Sequence, residues 1–126
     1  MRAWGVWLAL AGLLALTVKL LEPAAPVAPP ELSRTPGVRL FYRHECGRCH
    51  TLARLPGARG TLGPNLEGVG ERGKSRIRGR SGREYLQESL VEPGRFLVEG
   101  YLNGMPSYAG LPPAELDELV DFLERE

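Results

Sequence analysis

The sequence predicts a small all-α domain preceded by one apolar N-terminal helix. Three observations predict it. Residues 3–18 carry no charge, and the apolar run continues past Lys19 through Leu20 and Leu21. Downstream, apolar residues recur at helical spacing, and no run of β-branched strand residues accompanies them. Between these parts stands Cys46-Gly47-Arg48-Cys49-His50, the C-x-x-C-H pattern by which a haem is attached covalently. With 126 residues the chain has room for one domain, and its formal charge of +1 suggests no nucleic-acid role. A core this small gains from an apolar cofactor plate around which it can fold.

The N-terminal run is about 19 residues, or about 28 Å as a helix, close to the hydrocarbon thickness of a bilayer. Arg2 and Glu22 bracket it, Lys19 can snorkel at one end, and Trp4 and Trp7 suit the interface at the other. Arg2 is the only charge ahead of the span, so the remainder of the chain is expected to cross. The rival reading is a cleaved signal peptide. Ala25 and Ala28 are its candidate last residues, but Pro26 and Pro29 follow them and Pro23 and Pro26 occupy the third place back. An uncleaved anchor over 1–22 is therefore favoured. Residues 23–35 begin as a Pro/Ala-rich, semi-stiff tether. The domain then spans 36–126, on the periplasmic, extracytoplasmic face of the cell membrane.

In C-x-x-C-H, two thiols three positions apart share one face of a helical turn. Each can add to one of two neighbouring vinyl groups of a single haem c, and His50 then stands under the iron as its proximal ligand. Three other readings fit this pattern less well. A thioredoxin-like pair needs an α/β context. A zinc site needs about four ligands, and the chain offers only His44, Cys46, Cys49 and His50, crowded together. A disulfide across two residues closes a tiny loop and stabilises little.

Thr35 can cap a first helix, with Pro36 at its first position, running into Cys46. Gly37 costs roughly 1 kcal/mol in a helix interior. Its bland role is flexibility at the helix start. Its sharper role is to let another helix cross closely, with Phe41 one turn on filling the contact. Residues 51–80 read as a long irregular stretch, which wrapping a cofactor would explain. Ser81 and Glu84 form a capping box for a helix to about Val91, with Tyr85, Leu86 and Leu90 apolar. Pro112 and Pro113 open the last helix. Leu116, Leu119, Val120 and Leu123 form its stripe, with Phe122 beside it. That helix lacks a Ser, Thr or Asp cap.

A second axial ligand must come from elsewhere. Met1 belongs to the membrane end, so Met105 is the only sulfur available. It lies in Asn103-Gly104-Met105-Pro106, a loop between helices where Pro106 restricts its backbone. A lone Met is more often core filler, but here it sits in a turn and not on an apolar stripe. His44 is six residues before His50, on the way to the same haem face, and is expected to be solvated. Thioether ligation favours ferrous iron and raises the potential.

With these pieces in order, the chain resembles a class I cytochrome c over about 36–125, in a membrane-anchored, mono-haem form. The resemblance rests on Gly37 and Phe41, C-x-x-C-H, Gly63-Pro64-Asn65-Leu66, Gly68-Val69-Gly70, Tyr85-Leu86 and Met105-Pro106. It implies three to five helices around one covalent haem. It also implies that the first and last helices cross, with Gly37 and Phe41 against Leu119, Phe122 or Leu123. The Pro64 carbonyl would accept a hydrogen bond from the other nitrogen of His50. The run from Tyr85 to Tyr108 is also similar to cytochrome c domains fused to terminal oxidase subunit II, whose copper domain is absent here. No Trp follows Trp7. Tyr85, Tyr101 or an arginine are the candidates for the haem propionates in its place.

Residues 39–83 hold eleven basic residues against three acids, a net +8, and residues 84–126 hold ten acids against two arginines, a net −8. Either the halves pair with each other, or a basic patch steers an acidic redox partner. The basic cluster over 72–83 could instead touch anionic lipid. The expected function is electron transfer without catalysis of its own: a tethered respiratory carrier between a quinol-oxidising complex and a terminal oxidase or reductase. The alternatives are a fixed haem subunit of a nitric oxide reductase or oxidase, and a haem gas sensor or peroxidase with a labile Met105.

Overall fold

The computed structural model describes residues 29–32 and 34–126. The expected anchor over 1–22, and the tether as far as residue 28, lie outside the described residues. Among the described residues no helix is long and apolar enough to cross a membrane. The described residues hold four α-helices and no strand: α1 Pro36–Arg43, α2 Val69–Arg76, α3 Gly82–Val91 and α4 Pro113–Glu124. A 3-10 turn, Cys46–Arg48, follows α1, and a single antiparallel bridge joins Thr51 to Arg59.

Pro36 opens α1 with its pre-set φ, while Thr35 stands extended at the cap without a side-chain hydrogen bond. The sequence predicts that this helix runs into Cys46, but it stops at Arg43. Glu45 is the physical reason. It takes a left-handed conformation at φ 53°, which breaks the helical ladder before the cysteines. Helix α2 falls in the stretch expected to be irregular. Gly70 and Gly73 give it poor intrinsic propensity, and packing supplies what propensity lacks. It lies against α3 and α4, and its Gly70 N–H donates to the Glu126 carbonyl at 3.3 Å.

The capping box of α3 forms as read. The Glu84 N–H donates to Ser81 Oγ at 3.2 Å, and the Ser81 N–H donates to Glu84 Oε2 at 2.7 Å. These bonds from Ser81 hold the Glu84 carboxyl below its usual range. Helix α4 starts on Pro112 and Pro113 without a side-chain cap, as expected.

The core is built where α1 meets α4, with α3 closing one side. A Cβ at Gly37 would overlap the Phe122 Cβ and stand 2.6 Å from the Glu118 carbonyl oxygen, so glycine is what permits the approach. Phe41 then meets Phe122 edge-on at 5.8 Å between ring centroids. Val38, Leu40, Phe41, Leu119, Val120 and Phe122 are all almost fully buried. The helix crossing inferred from Gly37 and Phe41 is therefore seen, and Phe122 is the residue that fills it.

The two oppositely charged halves pair with each other at several points. Arg43 pairs with Glu115 at 2.9 Å, Arg54 with Glu126, and Arg80 with Glu88. Arg83 reaches Asp117, Asp121 and Glu124 on α4. Most of these pairs are exposed and each contributes little to stability. Together they orient α3 and the 51–59 loop against α4.

Gly37→Ala is expected to lower the stability of the haem-loaded protein by about 3 kcal/mol through overpacking. Gly110→Ala meets open space and should change it by less than about 0.5 kcal/mol. Chemical denaturation of the two variants checks this. Glu84→Ala should lower the denaturation midpoint at neutral pH. Because the folded carboxyl is depressed, that contribution is present above the unfolded value of 4.5 and is lost as pH falls through the folded one. The midpoints of wild type and variant should converge at low pH.

Candidate haem site

The C-x-x-C-H segment forms a tight turn on which the following loop is hung. The N–H groups of Cys49 and His50 both donate to the Cys46 carbonyl, at 3.2 and 2.9 Å. The chain then leaves through Thr51 and folds back over the turn. Gly60 N–H donates to the Gly47 carbonyl at 3.0 Å, and Gly63 N–H to the Cys49 carbonyl at 2.8 Å. Leu66 N–H reaches the Thr51 carbonyl at 2.9 Å, and Thr51 Oγ1 donates to the Gly60 carbonyl at 2.8 Å. Leu52, Leu55 and Ala58 bury their side chains under this loop, and Tyr42 from α1 pins it by donating to the Pro56 carbonyl at 2.8 Å. Residues 51–66 are thus a closed loop whose backbone polar groups are spent on the attachment turn.

The loop fixes His50. Its Nδ1 donates to the Pro64 carbonyl at 2.7 Å, which leaves Nε2 as the unprotonated nitrogen with a free lone pair. Gly63 makes the approach possible. A Cβ there would lie 2.7 Å from Nδ1 and 2.9 Å from Nε2 of the imidazole. Cys46 and Cys49 are free thiols, each half-buried. Burial pushes the Cys46 thiol up to about 12, with the neighbouring Cys49 adding to the rise. No group of three or more His, Cys, Asp or Glu among the described residues could hold a metal, so a zinc cluster has no support.

Met105 is half-buried against the core. Its loop is tied to the end of α3, where Tyr108 N–H donates to the Leu90 carbonyl at 2.9 Å and Ser107 Oγ to the Val91 carbonyl at 2.6 Å. Tyr108, three residues after Met105, connects this loop to the attachment turn. Its ring meets His44 edge-on at 5.3 Å. Burial first, and the nearby Cys46 and Cys49 second, raise its hydroxyl to about 12. The Met105 loop therefore reaches His44, two residues before the C-x-x-C-H turn, through one aromatic ring.

His44 differs from the expectation of a solvated side chain. Its Nε2 is buried and has no hydrogen-bond partner among the described residues, and its ring packs on Tyr108. Tyr85 packs edge-on against Phe96 at 5.7 Å inside the core. Sequence reasoning gave Tyr108 no role of its own, and its three-residue distance from Met105 was the signal that could have found it.

The donor set fits a covalent haem. Two unpaired thiols flank one turn, an imidazole presents a lone pair, and a thioether sits in an anchored loop. Leu62 and Leu102 stay exposed at 77% and 90% beside Gly63-Pro64 and Gly104-Met105. Large apolar side chains left so open fit a surface that something else covers.

The family model described as "Cytochrome C oxidase, cbb3-type, subunit III" matches residues 34–123. No curated protein and no solved structure matches the chain.

Cys46→Ala combined with Cys49→Ala should give a pigment that leaves under acid-acetone extraction, while the wild-type pigment stays with the protein. Gly63→Ala should disturb the imidazole without removing either thioether. Its pigment should remain covalent but show an altered ferric spectrum.

Proposed function

The chain belongs to the family of cytochrome c oxidase, cbb3-type, subunit III, class I c-type cytochromes with covalent haem c, and on that premise we propose that it is a one-electron carrier of a respiratory chain. The single observation that carries this reading is the His50–Pro64 hydrogen bond beside two unpaired thiols. When bound, haem c supplies a ferric/ferrous one-electron couple. Cys46 and Cys49 would hold it through thioethers, and His50 and Met105 would be its axial ligands. The Pro64 carbonyl holds the His50 proton on Nδ1, which fixes the ring and makes Nε2 the stronger donor. The ties of Ser107 and Tyr108 to α3 hold the Met105 loop at one distance from the core. With His50 and Met105 both on the iron, small molecules would be kept from it. What remains is transfer of single electrons to and from partner proteins.

The exposed Leu62 and Leu102 suit the contact surface for those partners. Donor and acceptor are taken to be a quinol-oxidising complex and a terminal oxidase or reductase. In this reading residues 1–22 anchor the chain, residues 23–35 tether it, and the domain works on the periplasmic side of the membrane. A second reading is favoured by the family's own description, that of an oxidase subunit. There the chain is a fixed haem subunit of a larger membrane complex.

Met105→Ala tests the ligand assignment. The variant should lose the methionine–iron absorption band at the red end of the spectrum and bind carbon monoxide when reduced. Its potential should fall, because thioether ligation favours ferrous iron. An unchanged band and potential would refute Met105 as ligand. Purification of the native protein in mild detergent separates the two readings. A free chain fits the carrier, and stoichiometric co-purification with other haem or copper subunits fits the fixed subunit.

A further inference from the structure

Helix α2 ends at Arg76, and the chain turns from Ile77 to Arg80 before Ser81 caps α3. The turn is closed by the Arg80 N–H donating to the Ile77 carbonyl at 3.2 Å, with Gly79 left-handed at φ 78°. Beside this turn lies an open groove of about 360 Å³. Arg76, Ile77, Arg78 and Arg80 line it from the turn, Glu88 from α3, and Arg95 and Phe96 from the loop beyond α3.

The groove concentrates positive charge, whereas several basic side chains outside it are paired. Elsewhere Arg43, Arg48, Arg54, Lys74 and Arg83 all pair with carboxylates. Arg72 gives its guanidinium to the carbonyls of Asn65 and Glu67. The carboxylate lining the groove is Glu88, whose side chain is 10% exposed and which pairs with both Arg80 and Arg95, and Arg95 also pairs with Glu92 at 3.2 Å. Among the described residues Arg76 and Arg78 make no ion pair. Four guanidinium groups thus meet two carboxylates, and two of the four are uncommitted among the described residues. The apolar lining is Ile77 and Phe96, both packed against the core, with Phe96 braced on Tyr85.

Guanidinium forks match phosphate oxygens in bidentate geometry and are weakly hydrated, so a cluster of them over an apolar floor suits a phosphate better than a single carboxylate. We propose that this groove binds a phosphate-bearing anion of at least two negative charges. Arg76 and Arg78 supply the free forks, Arg80 and Arg95 complete the positive wall, and Ile77 and Phe96 take the apolar part of the ligand. The ligand is either a soluble phosphate compound or the headgroup of an anionic lipid. This inference is independent of how the iron is ligated.

The test uses the full-length, haem-loaded chain in neutral detergent, titrated calorimetrically with pyrophosphate at low salt. Saturable one-to-one binding is expected. It should weaken at least tenfold when Arg76→Gln and Arg78→Gln are combined, and stay within twofold of wild type in Arg59→Gln, which removes an exposed arginine outside the groove. Neither Arg76 nor Arg78 has an ion-pair partner among the described residues, so the haem spectrum and the denaturation midpoint of the double variant should match wild type. Vesicles of phosphatidylcholine with and without phosphatidate then distinguish the sources. Displacement of pyrophosphate by the phosphatidate vesicles alone, lost in the double variant, identifies a lipid headgroup. Retention of pyrophosphate identifies a soluble ligand. No saturable binding to the haem-loaded chain, as would follow if haem propionates already filled the groove, overturns the proposal. So does binding that the double variant leaves unchanged.

Discussion

The hydrogen bond from His50 Nδ1 to the Pro64 carbonyl is the constraint on which the domain turns. It is a single contact of 2.7 Å, worth on the order of 1 kcal/mol net, yet it dictates much of the local chain path. For the carbonyl to reach the imidazole, residues 51–66 must double back over the attachment turn. That return is secured by the backbone bonds from Gly60, Gly63 and Leu66 and by the Tyr42 hydroxyl on Pro56. It also requires that position 63 have no side chain. A short stretch with no regular structure is thereby as well defined as a helix, because its backbone groups are committed to one another and not to water.

The opposite wall is held by different physics. The Met105 loop has almost no buried apolar residues of its own. It is fixed by hydrogen bonds from Tyr108 and Ser107 to the last carbonyls of α3, which a helix end leaves without partners. The Met105 loop meets the segment that leads into the attachment turn at the Tyr108 ring, which packs on His44. A site assembled from loops in this way depends on a rigid frame. The Phe41–Phe122 contact between first and last helices supplies it.

Much of the site was legible because its chemistry is written in spacing. Two thiols and an imidazole within five residues need no tertiary information to be recognised. The capping box at Ser81 and Glu84 and the stripe of α4 are likewise local patterns. What sequence reasoning missed is what only tertiary contact decides. Helix α2 has two glycines and no apolar stripe, and it forms because α3 and the end of α4 pack on it. The early stop of α1 follows from a left-handed Glu45, a conformation that acidic residues do not advertise. The mutual pairing of the charged halves was one of two readings the sequence left open, and the folded chain brings Arg54 to Glu126 and Arg83 to α4.

The close passage of Gly37 against Phe122 has a bearing on the order of assembly. Synthesis delivers α1 and the two thiols long before α4 exists, and a nascent chain cannot complete this crossing with its partner still unmade. Through that interval the attachment turn rests on α1 alone, the one helix it touches. Docking of α4 on α1 then completes the frame beneath it. The rigidity of the attachment turn is thus set by the element that the polypeptide delivers last.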